Sequence, residues 1–158
     1  LTASAVKARY GLDDPRPVPL DEARRRAADL ARGHYENFTV VSWFLPRALR
    51  QHFYNVYAYC RVSDDLGDEV DDTAEAERLL TAWRANLHAC YAGHCEHWVF
   101  TALADTIAAF DLPVEPFDDL LTAFTRDQRQ TRYATYDDLL DYCRCSANPV
   151  GRLVLYLG

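Results

Sequence analysis

Leu49, Phe53, Val56, Tyr57 and Cys60 recur at intervals of three and four residues, the spacing that places side chains on one face of an α-helix. The same period carried forward lands on Asp64 and Asp68, one turn apart, with Arg61 beside them and Asp65 off to the flank. The pattern therefore puts carboxylates where it calls for core. Unpaired charges are costly to bury, so two acids at the edge of an apolar face require a compensating cation, and Arg61 alone does not balance them. A hard divalent cation held by oxygen, with water and a substrate phosphate completing its shell, meets the requirement, and Mg²⁺ is the usual ion of that kind. The competing reading ends the helix near Ser63 and makes the acids a solvated turn, which Gly67 permits. The unbroken register with the apolar stripe favours a continuing helix.

Other segments follow the same period. Residues 1–20 contain Gly11, Pro15, Pro17 and Pro19 and read as an extended lead-in. A first helix is expected from about Asp21 to His34. Pro46 suits the first position of the long acid-bearing helix, which runs to about Asp68, where the helix dipole disfavours anions and again asks for a cation. Thr73 caps a helix carrying Ala76, Leu79, Leu80, Trp83, Leu87 and Cys90 on one face. Another spans Trp98 to Phe110 and stops at Asp111, Leu112 and Pro113, and the next runs from Pro116 to about Thr131. The last starts at Thr135 with Asp137 and Asp138 behind it, turns Leu139, Tyr142, Cys143, Ser146 and Val150 inward, and bends near Pro149. No alternating strand pattern, internal repeat or low-complexity tract appears, so the class is all-α.

Composition narrows the chemistry. With 158 residues and 49% hydrophobic content, the chain suits one domain with a substantial core. Its abundant aromatics predict a ring-lined cavity suited to a large apolar ligand. A net charge of −7, with no basic cluster beyond Arg24–Arg26, argues against nucleic acid. No apolar run is long enough to span a bilayer and no signal peptide is recognisable, so the sequence reads as cytoplasmic, with peripheral membrane contact left open. The five cysteines lack paired zinc-site spacing and read as reduced thiols. His94, Cys95, Glu96 and His97 read as a polar loop. The absence of methionine, the start at Leu1 and the stop at Gly158 directly after the apolar run Leu153–Leu157 suggest a fragment.

Two further polar positions lie on apolar helix faces. Asp127 sits near the line of Leu120, Phe124 and Thr131, followed by Gln128, Arg132 and Tyr133, either as a second polar edge of the cavity or as the border of a solvated face. Tyr142 precedes Ser146, Ala147, Asn148, Pro149, Val150 and Gly151, a run of small and helix-loosening residues of the sort a site needs when a ligand comes close. Asp137 and Asp141 repeat the spacing of Asp64 and Asp68, but in the first turns of a helix acids complement the dipole, and they read as structural.

Three ordered segments, HYENFTVVSWFLP (His34–Pro46), VYAYCRVSDDLGDE (Val56–Glu69) and TYDDLLDYCRCSANPVGRLV (Thr135–Val154), together resemble the squalene and phytoene synthase family of head-to-head prenyl synthases. Within it, the YENF and SANPVGRLVL stretches look closest to the hydroxysqualene synthases of bacterial hopanoid pathways. The resemblance runs from about residue 21 to the end and implies the N-terminal part of an isoprenoid-synthase helical bundle. It also implies roles. Asp64 and Asp68 match the ends of the aspartate motif that binds diphosphate through Mg²⁺, with Asp65 inside it. Tyr57 and Arg61 match diphosphate contacts, Tyr142 a tyrosine of ionisation and proton handling, and Asp127 an acid of the cavity wall. His34, Asn37, Phe38, Tyr133 and Asn148 complete the expected substrate-binding set.

Where relatives carry serines around a basic residue before the phenylalanine, this chain has Tyr35, Glu36 and Asn37, which weakens the grip on a second diphosphate. The resemblance accordingly implies conversion of presqualene diphosphate to hydroxysqualene. Condensation of two prenyl diphosphates to squalene or phytoene is the alternative, and a non-catalytic all-α scaffold the other. Neighbouring enzymes of squalene synthesis are the implied protein partners. The family's other aspartate motif lies beyond the end of the sequence, so this stretch alone is expected to be inactive.

Overall fold

The fold comes from a computed structural model that describes residues 1–33, 45–130 and 134–158. The described residues form helices and no strands: α1 Ala3–Tyr10, α2 Leu20–Gly33, α3 Arg47–Asp68, α4 Thr73–Tyr91, α5 Trp98–Phe110, α6 Glu115–Asp127 and α7 Tyr136–Leu157. The all-α expectation holds. The long helix α3 is the axis, and every other helix packs against it.

That central position changes which face of α3 is core. Its buried residues are Phe53, Asn55, Val56, Ala58, Tyr59, Val62, Ser63, Asp65, Leu66 and Gly67. Tyr57 and Cys60 are only partly buried, and Asp68 is exposed. The expected stripe was therefore rotated, and Asp65 is the acid that lies in the core. A helix surrounded by neighbours is apolar around most of its circumference, so spacing alone does not fix which side faces in. The helix does continue through the acids, with the Glu69 amide donating to the Asp65 carbonyl at 3.1 Å, which rules out the solvated turn.

The core around α3 is aromatic, and the polar atoms of Tyr59, Ser63 and Trp83 within it are paired. Tyr59 is completely buried and packs edge-on against Phe117 at 5.1 Å, while its hydroxyl donates to the Phe117 carbonyl at 3.1 Å. Ser63 Oγ donates to the Tyr59 carbonyl and accepts from Trp83 Nε1 at 2.9 Å, which ties α4 to α3. On the other side, Arg24 of α2 grips Asp105 of α5 with two donors, at 2.7 and 3.1 Å. Gln51, Asn55 and Thr106 continue that polar seam.

Several boundaries differ from the sequence expectation. Residues 1–20 are not all extended: Thr2 caps α1, Gly11 ends it in the left-handed region at φ 74°, and Val6 and Tyr10 are buried. The four-residue spacing of Val6 and Tyr10 makes one short apolar face, which the downstream prolines obscured. Asp72, not Thr73, caps α4, because its carboxylate reaches the Glu75 amide at 2.9 Å. Helix α6 stops at Asp127 rather than near Thr131. The capping box Thr135–Asp138 starts α7 as expected, and the helix runs through Pro149 to Leu157. Leu139 and Val150, expected inward, are 41% and 42% exposed, whereas Leu153 and Leu157 are buried.

The cysteines are all free. None of the described helices is long and apolar enough to cross a membrane. The stretch His94–His97 is a loop as expected, but His97 within it is buried. It is 3% exposed, caps α5 by accepting from the Val99 amide, and its Nε2 donates to the Tyr10 carbonyl at 2.8 Å, so it links α5 to α1.

Burial holds the His97 imidazole below its ordinary value of 6.5, outweighing the opposing pull of the Tyr10 carbonyl. The neutral ring is the form that fits. Its contribution is fully present above pH 6.5 and lost as pH falls through the lower folded value. Thermal melts of the intact protein should therefore show stability falling as pH drops below 6.5. His97→Asn should lower stability throughout and flatten this dependence.

Candidate active site

Helix α3 carries the acid face, and its α-helical turn sets Tyr57, Arg61, Asp64 and Asp68 along one flank beside the core. Half-buried Tyr57 has its hydroxyl pushed above its ordinary value by burial, against the pull of Arg61. Arg61 reaches two ways. Its Nη2 binds Asp65 Oδ1 at 2.6 Å, and its Nη1 lies 3.6 Å from Asp64 Oδ2.

Asp65, expected among the metal ligands, has another role. It is 1% exposed, and besides Arg61 it accepts from the Tyr10 hydroxyl and from Arg9 Nη1 at 3.4 Å. Both its oxygens are thereby engaged by protein donors. Arg9 also binds Glu69 Oε2 at 2.6 Å. Two arginines and two carboxylates thus offset one another on the inner side of α3. Sequence reasoning missed Arg9 and Tyr10 altogether and took Glu69 only as the end of the acid-bearing segment; the Val6–Tyr10 spacing between Thr2 and Gly11 was the one signal of a docked helix.

The outer side is left acidic. Asp64 is pushed above the ordinary carboxylate value by burial and by Asp68, and Asp68 by burial and by Asp127. Among the described residues Asp68 forms no salt bridge. Asp127 reaches this face because α6 crosses α3 closely at Gly67, where Gln128 Nε2 donates to the Gly67 carbonyl at 2.9 Å. A β-carbon on Gly67 would meet Phe124 Cβ at 3.4 Å, so the glycine permits the approach without being forced by it. Helix α7 then brings Tyr142, whose hydroxyl donates to Asp127 Oδ2 at 2.7 Å. Two residues singled out from separate helices are hydrogen-bonded partners.

Other expected positions are not assembled here. Asn148 is exposed on α7, six residues beyond Tyr142 and so turned about 240° around the helix from it. His34, Asn37, Phe38 and Tyr133 lie outside the described residues. Asp141 pairs with Arg126 at 3.0 Å, in keeping with a structural part.

Among the described residues no three acidic, histidine or cysteine side chains converge to hold an ion by themselves. The donor set nonetheless fits Mg²⁺. Asp64 and Asp68 offer carboxylate oxygens on one helix face, raised in pKa by burial and by neighbouring like charges, and Mg²⁺ keeps several waters and substrate oxygens in its shell.

Residues 12–158 match the squalene/phytoene synthase family. The chain belongs to this family. Similar curated members include the 15-cis-phytoene synthase of Synechococcus elongatus, 32% identical over 132 residues, which covers 84% of this chain and 43% of that protein. The phytoene synthase of Arthrospira platensis is 29% identical over 139 residues, covering 88% and 45%. Among solved structures, the crystal structure of the squalene synthase HpnC from Alicyclobacillus acidocaldarius aligns at TM-score 0.82 with 50% identity, covering 89% of this chain and 53% of that one. A dehydrosqualene synthase crystallised with a ligand aligns at TM-score 0.78 with 27% identity, over 87% and 48%. The chain spans about half the length of these squalene/phytoene synthase relatives.

Neutralising either outer acid should relieve repulsion in the metal-free protein. Asp68→Asn and Asp64→Asn are expected to raise its melting temperature at neutral pH by roughly 2–4 °C. The gain should vanish below pH 3.8, where the wild-type acids are protonated too. Added Mg²⁺ should stabilise the wild type more than either variant. A lower melting temperature in both metal-free variants would mean that these carboxylates are paired after all.

Proposed function

We propose that the intact enzyme ionises a prenyl-type diphosphate at the outer face of α3, and that its reaction is conversion of presqualene diphosphate to hydroxysqualene. The observation that carries the reading is the division of charge on α3: Arg9 and Arg61 are offset by Asp65 and Glu69, which leaves Asp64 and Asp68 for a cation and its anionic ligand. Asp64 and Asp68 would hold Mg²⁺, which when bound supplies charge to stabilise the departing diphosphate. Arg61 Nη1, on the Asp64 side, adds a charge-assisted contact to the same group.

Loss of diphosphate with the carbon–oxygen bonding pair leaves a cyclopropylcarbinyl cation. The rings of Tyr57 and Tyr142 stand near the acid face and stabilise it through their π-electrons. Water then adds to the carbon and gives up a proton. Tyr142 suits that transfer: its hydroxyl proton is directed at Asp127 Oδ2, so its oxygen can accept from water while its own proton passes to Asp127. Presqualene diphosphate and water become hydroxysqualene and diphosphate, and no reductant enters.

The 50% identity to the squalene synthase HpnC, against 32% to a phytoene synthase, supports a squalene-type skeleton as the substrate. Glu36 and Asn37, in place of a basic residue and hydroxyls, support a single diphosphate, because an acid beside a second one repels it. Condensation of two prenyl diphosphates is the second reading, and the names of those relatives keep it in view.

Given presqualene diphosphate and Mg²⁺ without NADPH, the intact enzyme should release diphosphate and a triterpene alcohol, and it should be nearly inert toward farnesyl diphosphate alone. Asp64→Asn and Asp68→Asn should each lower diphosphate release by ~100-fold or more. Efficient formation of presqualene diphosphate, squalene or phytoene from prenyl diphosphates would hand the case to the condensing reaction.

A further inference from the structure

Arg61 is held from behind. Its Nη2 is fixed on Asp65 Oδ1 at 2.6 Å, its Nε is buried without a hydrogen-bond partner, and its Nη1 points to the Asp64 side of the helix. The guanidinium is a rigid planar fork, so the orientation of the Asp65 carboxylate decides where the remaining edge faces. That orientation is set by α1. The Tyr10 hydroxyl and Arg9 Nη1 occupy Asp65 Oδ2, which leaves only Oδ1 for Arg61. Arg9 also takes Glu69 Oε2 at 2.6 Å, so Glu69, whose other oxygen is 3.6 Å from Arg61 Nη2, does not draw the guanidinium away.

We infer that Tyr10 and Arg9 are positioning residues for the reaction: through Asp65 they hold Arg61 in the one-point contact that leaves Nη1 available to the diphosphate. The inference rests on the diphosphate reading of the α3 face. Without the Tyr10 hydroxyl, Asp65 is able to turn and accept Arg61 fork-on-fork, the stronger bidentate arrangement, which withdraws the guanidinium from the outer face. Helix α1, ahead of the proline-rich stretch, is then part of the active site although none of its side chains touches substrate. Its anchor is deep enough for this, since Val6 is fully buried and the Tyr10 carbonyl accepts from both His97 and Trp98.

The test uses the intact enzyme and two readouts, affinity for inorganic diphosphate in the presence of Mg²⁺ and the KM for presqualene diphosphate. Tyr10→Phe, which keeps the ring and removes the donor, should weaken diphosphate binding and raise KM about 5- to 10-fold, and Arg9→Gln should act in the same direction. Tyr91→Phe, which removes a hydroxyl contact to the Leu112 carbonyl away from α1 and Asp65, should lower the melting temperature and leave both constants unchanged. In an Arg61→Lys background, Tyr10→Phe should add little to the loss of affinity while still lowering the melting temperature. Unchanged constants in Tyr10→Phe and Arg9→Gln, or an equal fold-change with and without Arg61, would overturn the inference and leave Tyr10 a purely structural residue. Wild-type enzyme that binds diphosphate but turns over neither presqualene nor farnesyl diphosphate would sink the proposed reaction instead, with the diphosphate affinities still deciding the part played by Tyr10.

Discussion

The buried carboxylate of Asp65 is the constraint on which the acid end of α3 depends. At 1% exposure an ionised carboxylate survives only with its oxygens satisfied, and Tyr10, Arg9 and Arg61 supply the donors. The consequence is mutual dependence. Helix α1 docks because Asp65 and the neighbouring apolar contacts receive it, Arg61 is oriented because Asp65 is fixed, and the buried charge of Asp65 is tolerable because Arg9 and Arg61 offset it.

From that arrangement follows a division of labour among acids that look alike in the sequence. Asp65 and Glu69 serve structure and electrostatic balance, while on the outer side Asp64 has only the 3.6 Å approach of Arg61 Nη1, and Asp68, without a salt bridge among the described residues, faces the charge of Asp127. One helical turn separates Asp64 from Asp68, and a rotation of about 100° separates Asp64 from Asp65. The difference in surroundings across that rotation is larger than any difference in the residues themselves. The proposed cation and its anionic ligand therefore belong on one side of the helix.

The aromatic core makes this division rigid. Tyr59, Trp83 and Phe117 fix the angle at which α4 and α6 meet α3, and each polar atom they bury has a partner, such as the Tyr59 hydroxyl on the Phe117 carbonyl. Because α6 is held this way, its last residue, Asp127, arrives beside Asp68 and receives the Tyr142 hydroxyl from α7. Groups proposed to act together from separate helices need such a frame, since small displacements at reacting atoms are expensive in rate.

The sequence by itself determined the helical class, nearly all of the boundaries of α2, α3, α5 and α7, and the family, because those rest on short-range periodicity, caps and contiguous motifs. It marked Asp64, Asp68, Asp127 and Tyr142 as chemistry-bearing, since polar residues on apolar faces are conspicuous in a linear pattern. It did not determine which side of α3 was core, because a helix enclosed by its neighbours is apolar nearly all round and its period has no unique phase. Nor did it reveal that Tyr10 lies against Asp65, that His97 bonds the Tyr10 carbonyl, or that Tyr142 bonds Asp127. Those pairs join residues far apart in the chain, and no local propensity encodes them. Only the packing of α1, α6 and α7 around α3 decided them, because the burial that turns one acid into a structural anchor and leaves its neighbour for a ligand is a property of the assembled core.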